Sequence, residues 1–255
     1  SVAKTLYANG FSNDQLIEDI AAASSISQAG AGQSTYRYQA LFARINYNWQ
    51  EKYLLNITGR RDGSSRFGPD KQFANFGAIG VGWIFSKEDF FKNNLHWISF
   101  GKLRSSYGTT GNDQIGDYQY LDTWTPTVYP YQGLSGLQPS RLFNPDYGWE
   151  VNKKWEIGLD LGFINDRILL SSSYYQNRSS NQLVGYPLPT ITGFSSIQQN
   201  LGATVQNTGW EFEINTSNVK SKKFTWATSF NLTVPDTRLI AYPNLAGSPY
   251  SHTYV

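Results

Sequence analysis

The stretch KWEIGLDLGF, residues 154–163, alternates at every position. Trp155, Ile157, Leu159, Leu161 and Phe163 fall on one side of an extended chain, and Lys154, Glu156, Gly158, Asp160 and Gly162 on the other. Successive side chains of a strand point to opposite faces, so this period of two predicts a β-strand with one oily face and one charged face. The same pattern recurs in both directions from it. Residues 36–49 set Leu41, Ala43, Ile45, Tyr47 and Trp49 against Arg44, Asn46 and Asn48. Residues 53–61 set Tyr53, Leu55 and Ile57 against Asn56, Thr58 and Arg60, and 73–85 set Ile79, Val81, Trp83 and Phe85 against Ala78, Gly80 and Gly82. A fourth strand, 97–107, carries Leu103 and Tyr107 opposite Lys102 and Arg104. After 149–163 come 167–177, a strand with Trp210, Phe212 and Ile214 opposite Glu211 and Glu213, and one carrying Phe224, Trp226, Phe230 and Leu232.

The connections between these strands run short and long in alternation. Gln50, Glu51 and Lys52 make one tight turn, and Asn165 and Asp166 another. Two long excursions interrupt the strands, one at about 109–148 between these turns and one at about 178–207 after the second. A soluble sandwich gives no reason for that rhythm, whereas a wall inserted from one side does. The expected fold is all-β: an antiparallel transmembrane β-barrel segment of about eight strands with long extracellular loops. Residues 1–33 read as a loop region with a short helix around 14–23, 34–232 as the barrel segment, and 233–255 as a loop or the start of the next segment.

Composition agrees with the pattern. Mean hydropathy is -0.44 and no apolar run reaches the roughly 18 residues of a membrane helix. Trp 8, Tyr 17 and Phe 15 are a rich aromatic supply, suited to strands and to membrane-interface girdles. Cys 0 excludes a disulfide scaffold and a cysteine metal site. A net charge of +2 without a Lys/Arg run gives no support to nucleic-acid binding.

Four blocks sharpen the reading: RRDGSSRFG (60–68), KLRSSYGTTGN (102–112), NPDYGWEVNKKWEIGLDLGF (144–163) and NTGWEFEI (207–214). In this order they resemble the SusC/RagA family of TonB-linked transporters of the bacterial outer membrane. The resemblance implies a 22-stranded barrel holding an N-terminal plug, energised through TonB. It also implies import of large nutrients such as glycans or peptides, and a SusD-like surface lipoprotein as lid. Eight strands are roughly a third of that wall, and open sheet edges in hydrocarbon are costly, so further strands are expected to complete it. A small closed eight-stranded barrel is the structural alternative. A ligand-binding or adhesion β-module without transport, and a hydrolase, are the functional ones.

Candidate residues fall into two sets. Arg44, Arg60, Lys102, Arg104, Lys154, Glu156, Asp160, Glu211 and Glu213 share the polar side of their strands and are expected to face a wet lumen beside outward-facing membrane lipid. The pairs Glu156/Asp160 and Glu211/Glu213 provide the two carboxylates a glycosidase needs, but opposite inward Lys and Arg they read as ion pairs. Tyr118, Tyr120, Trp124, Tyr129, Tyr131 and Trp149, on the first long excursion, are the expected substrate-binding set, because flat aromatic faces bind sugars and apolar side chains. The competing reading is that these rings pack the loop. Tyr186, Leu188, Ile191 and Phe194, on the second excursion, are candidates for contact with the lipoprotein. His96 and His252 are far apart, and Asn112, Asp113 and Asp117 read as turn residues rather than a calcium loop, so neither a metal nor a cofactor is expected.

Overall fold

The computed structural model describes residues 2–95, 97–127, 129, 131–243, 245–248 and 251; His96 and His252 lie outside them. The chain separates into two compact units, Ser1–Arg37 and Tyr38–Val255. In the first, β1 (Val2–Asn9) pairs antiparallel with β2 (Ser25–Gln33), which corrects the expectation of a loop. The sequence SISQAGAGQ of β2 has no apolar alternation to announce a strand, and backbone pairing alone makes it one. The helix expected over 14–23 is instead two 3-10 turns, Asp14–Leu16 and Ile20–Ala22. The Asn13 and Asp19 side chains take up the N–H groups of Gln15 and Ala21 there.

The second unit is built on one antiparallel sheet. It contains β3 (Tyr38–Trp49), β4 (Tyr53–Ser64), β5 (Phe73–Trp83) and β6 (Ile98–Asn112). A separate hairpin of β7 (Thr123–Pro126) and β8 (Leu137–Arg141) interrupts the chain. The sheet resumes with β9 (Glu150–Phe163), β10 (Ile168–Pro187), β11 (Ser196–Lys220) and β12 (Thr225–Ala241). Spatial order follows chain order from β3 to β12, with β6 beside β9. At one end the turns are tight. Gln50 and Glu51 both take positive φ, as does the run Ile164, Asn165 and Asp166, the twist a short hairpin needs. That end also carries a longer connection with the helix α1 (Asp89–Asn94).

Register keeps the two faces separate across all eight strands. Leu103, Leu159 and Ser172 lie in one row, and Ser105, Ile157, Tyr174, Trp210 and Val234 in the next. Aromatic rings bound this apolar face at both ends. At the tight-turn end Trp49 packs on Tyr53 at 5.4 Å and Trp97 stacks on Phe163 at 5.7 Å. At the other end Trp155, Tyr174 and Trp210 run side by side, with ring separations of 5.9 and 5.2 Å. Eight residues separate Trp155 from Phe163, about 27 Å along a strand, or about 21 Å of height at a tilt of about 40°, close to the apolar band of a barrel wall.

Beyond Trp155, Tyr174 and Trp210 the strands do not stop. β10 and β11 stay paired up to Pro187↔Ser196, so the long loop expected at about 178–207 is corrected to a projecting hairpin with a connection at 188–195. Above the apolar band a strand needs no oily face, and a run such as Arg178, Ser179, Ser180, Asn181 and Gln182 loses the period-two signal while keeping its hydrogen bonds. The boundary at 232 moves for a related reason. β12 continues through Pro235 to Ala241, and its far side has no partner in this sheet, where a missing N–H costs no ladder bond.

Candidate functional site

The polar face brings together the charged residues expected on it. Thr58 pairs with Arg44, Asp160 with Lys102, and the rows continue to Glu211 and Glu213 through Ser173 and Ser171. Arg104 lies between Glu156, to which its Nη1 donates, and Asp160, whose Oδ2 is 3.5 Å from its Nε. It reaches both by lying over Gly158, where any Cβ would stand 2.7 Å from its Cζ. The Ser171 hydroxyl donates to Asp160 at 2.7 Å. Glu156 and Asp160 therefore share one guanidinium, the ion-pair arrangement rather than a free acid and base. Higher on the same face Arg60 donates through Nε to both Asp62 oxygens, at 2.6 and 2.7 Å, and through Nη2 to the Tyr38 hydroxyl. Between these groups Gly80 and Gly82 floor a trough of about 420 Å³ bordered by Asn46, Asn48, Asn56 and Lys102.

At the long-loop end three motif residues form a small buried core. Phe67 is 0% exposed, Tyr147 1% and Trp149 7%, with the Phe67 ring 4.8 Å from Trp149 and 6.2 Å from Tyr147. Burial pushes the Tyr147 hydroxyl up to about 12. Gly68 closes the join: its N–H donates to the Tyr147 carbonyl at 3.0 Å, and any Cβ would lie 2.0 Å from the Pro145 carbonyl oxygen. Trp149 Nε1 donates to the Gln72 carbonyl at 3.0 Å. Asn200 binds both backbone groups of Gly148, accepting at 2.8 Å and donating at 2.7 Å, while Arg66 donates to Asp117 and to the Asp113 carbonyl, each at 2.9 Å. The blocks RRDGSSRFG and NPDYGWE are thus two halves of one clasp.

This clasp divides the expected substrate-binding set. Trp149 packs in this cluster and also borders the polar cavity beside it, and Tyr120 lies half-buried against the same cluster. Tyr118 sits in a turn with φ 60°, its carbonyl accepting from Arg141 at 3.1 Å. Trp124, Tyr129 and Tyr131, on and between β7 and β8, are 56%, 88% and 78% exposed. Sequence reasoning missed a polar cavity of about 560 Å³ beside the clasp, lined by Asp70, Lys71, Asn144, Asp146, Asn181 and Asn200. Its residues come from four separate segments and give no local signal. Asn112 and Asp117 do serve as turn and ion-pair groups, through Gln114 N–H and Arg66.

The tight-turn end has its own polar anchor. Glu88 accepts from the Lys52 ammonium at 2.9 Å, the Tyr53 hydroxyl at 2.8 Å and the Trp83 indole N–H at 3.2 Å. Led by the Lys52 hydrogen bond, these donors hold its carboxyl down at about 2, so it stays ionised in all but strongly acidic conditions. The edge of the aromatic row is thereby tied to the connection carrying α1.

Residues 4–253 match the family described as TonB dependent receptor-like, beta-barrel. The TonB-dependent receptor P39 of Formosa agariphila is 38% identical over 216 residues, a match covering 85% of this chain and 20% of that receptor. The TonB-dependent receptor SusC of Bacteroides thetaiotaomicron is 36% identical over 200 residues, covering 75% and 20%. Among solved structures, the RagAB peptide transporter superposes with a TM-score of 0.79 at 28% identity, over 90% of this chain and 25% of that one. The chain spans about a fifth of the length of the curated relatives it matches. An eight-stranded sheet with unclosed edges is what a partial span of such a barrel presents. With its face-divided wall, aromatic rows and motif clasp, the chain belongs to the TonB dependent receptor-like β-barrel family of the bacterial outer membrane, among its SusC/RagA-type members.

Proposed function

We propose that this chain supplies wall strands and outer loops to a TonB-dependent importer of large nutrients, glycans or peptides, that works with a SusD-like surface lipoprotein. The observation that carries the reading is the division of one continuous sheet into an apolar face bounded by aromatic rows and a polar face rich in charge and amides. On this reading the apolar face meets lipid, the polar face lines the lumen, and the clasp end is extracellular. Hydrated cargo then passes Arg44, Lys102, Arg104, Glu156, Asp160, Glu211 and Glu213, beside a trough that Gly80 and Gly82 keep open. Trp124, Tyr129 and Tyr131 offer rings for capture at the mouth, and the polar cavity beside the clasp offers carboxylates and amides to hydroxyl or peptide groups. Ile191, exposed at the tip of the β10–β11 hairpin, is a contact for the lipoprotein. The chain acts by binding and conduction rather than by catalysis.

The test uses the receptor as its source cell makes it. The native polypeptide should be several times longer than 255 residues and should copurify with a surface lipoprotein. Uptake of labelled oligosaccharide or peptide should stop when TonB is deleted. A native polypeptide of this length that binds ligand equally well without TonB would favour the binding-module alternative.

A further inference from the structure

Just above the upper aromatic row, the outward side of the wall changes from apolar to basic. Lys153 on β9 stands directly opposite Arg178 on β10, one register row beyond Trp155, and the row continues through Gln206 to Arg238. All three cations are exposed. Like charges directly opposite one another on a sheet repel, so this placement weakens the wall unless an anion lies between them. Among the described residues neither Lys153 nor Arg178 makes an ion pair with a carboxylate. Arg178 donates through Nε to Gln206 Oε1 at 2.6 Å, and Gln176 donates to the same oxygen at 3.0 Å, which holds the guanidinium in place without neutralising it. Arg238 is paired with Asp236 at 2.7 Å and flanks the site. Glu156, Glu211 and Glu213 project from the opposite face.

At the other membrane boundary two of the cations are paired by the protein. There Lys52 is paired with Glu88 at 2.9 Å and Lys87 with Glu51 at 2.7 Å. Lys52 and Lys87 are thus neutralised by the protein, while Arg167, Lys220, Lys222 and Lys223 at the same end make no ion pair among the described residues; what sets the Lys153–Arg178 pair apart is that its two unneutralised cations stand directly opposite one another on adjacent strands. That pair stands about 7 Å along the strand from the girdle, where hydrocarbon gives way to headgroups.

We propose that Lys153 and Arg178, flanked by Arg238, form a binding site for the phosphate of an outer-leaflet glycolipid headgroup. Neighbouring strands lie about 4.8 Å apart at the backbone, so the two long side chains can reach one tetrahedral phosphate, with the guanidinium supplying a two-pronged contact and the ammonium a point charge. The anion turns the cross-strand repulsion into attraction and fixes the wall at the height of the headgroups. The inference rests on the lipid-facing reading of this face, so assembly and lipid binding are measured separately.

The probe is phosphorylated lipopolysaccharide added to detergent-purified full-length receptor, with bound lipid read by native mass spectrometry. The Lys153→Gln/Arg178→Gln double variant should assemble normally and bind the probe about tenfold or more weakly, since two charge-assisted contacts are lost. Dephosphorylated lipopolysaccharide should bind the unaltered receptor as weakly as the double variant binds the intact probe. Lys153→Glu should also lose the probe while raising the unfolding temperature, because it converts a repelling pair into an ion pair. Equal binding by the double variant, equal binding of the dephosphorylated lipid, or full displacement by an equal concentration of inorganic phosphate would each overturn the proposal.

Discussion

A full-length receptor carrying Leu159→Arg should fail to assemble in the membrane, while one carrying Glu156→Gln should assemble as the unaltered protein does. Leu159 lies midway between Trp155 and Phe163, in a row with Leu103 and Ser172, so its side chain projects at the centre of the apolar band. An arginine there costs about 2–4 kcal/mol at the bilayer midplane, a large part of a marginal stability. Glu156 is one residue earlier and on the other face. Its carboxylate and the Arg104 guanidinium are each about a third exposed, so the ion pair contributes at most about 1 kcal/mol, and a glutamine still accepts from Arg104. The readout is heat-modifiable migration of the outer-membrane fraction. Equal assembly of the two variants would remove the assignment of the faces.

The second large effect is confined to the outer loops. Phe67→Ala should cost about 3–5 kcal/mol of clasp stability, because a wholly buried ring is deleted from between Trp149 and Tyr147. Gly68→Ala should act in the same direction, by forcing the Pro145 carbonyl away from the 65–72 connection. In both variants the segments 65–72 and 144–149 should become protease-sensitive from outside the cell while the barrel band still shifts on heating. Resistance of those loops in Phe67→Ala would show that the clasp does not hold them.

The separation of the two effects reflects what sequence can and cannot express. Where a strand crosses hydrocarbon, each residue must choose between oil and water. The run from Lys154 to Phe163 therefore states its fold, its faces and its length in ten letters. The polar set is legible for the same reason: Arg104, Glu156 and Asp160 alternate with apolar neighbours, and register then brings them together. Outside the apolar band that pressure is gone. The upper halves of β10 and β11 are long paired strands rich in Ser, Asn and Gln, with Leu183, Val184, Ile197 and Leu201 interspersed, and nothing in their pattern separates them from loop. The hairpin of β1 and β2 escapes notice likewise.

Trp149 shows a different limit. An aromatic residue on a long connection reads equally well as a ligand platform or as packing. The deciding facts are its contacts with Phe67 and Gln72, which lie far away in sequence. The signal that could have been used was the pairing of blocks: Phe67–Gly68 in one and Tyr147–Gly148–Trp149 in the other each join large rings to a glycine. That is how two segments meet when rings interlock over backbone in close approach. The substrate-facing roles of Trp124, Tyr129 and Tyr131 rest on exposure and chemistry.

The most direct test of the wall itself is a nitroxide accessibility scan of β9 in the full-length receptor reconstituted in lipid. This chain has no cysteine to obstruct single labels introduced as Ile157→Cys, Leu159→Cys and Leu161→Cys, or as Glu156→Cys and Asp160→Cys. The account predicts that the first three labels are reached by oxygen dissolved in the bilayer, the last two by a water-soluble relaxation agent, with a period of two residues. Equal accessibility at both sets, or the opposite phase, would contradict the claim that this sheet is the wall of a membrane barrel with its oily face to lipid.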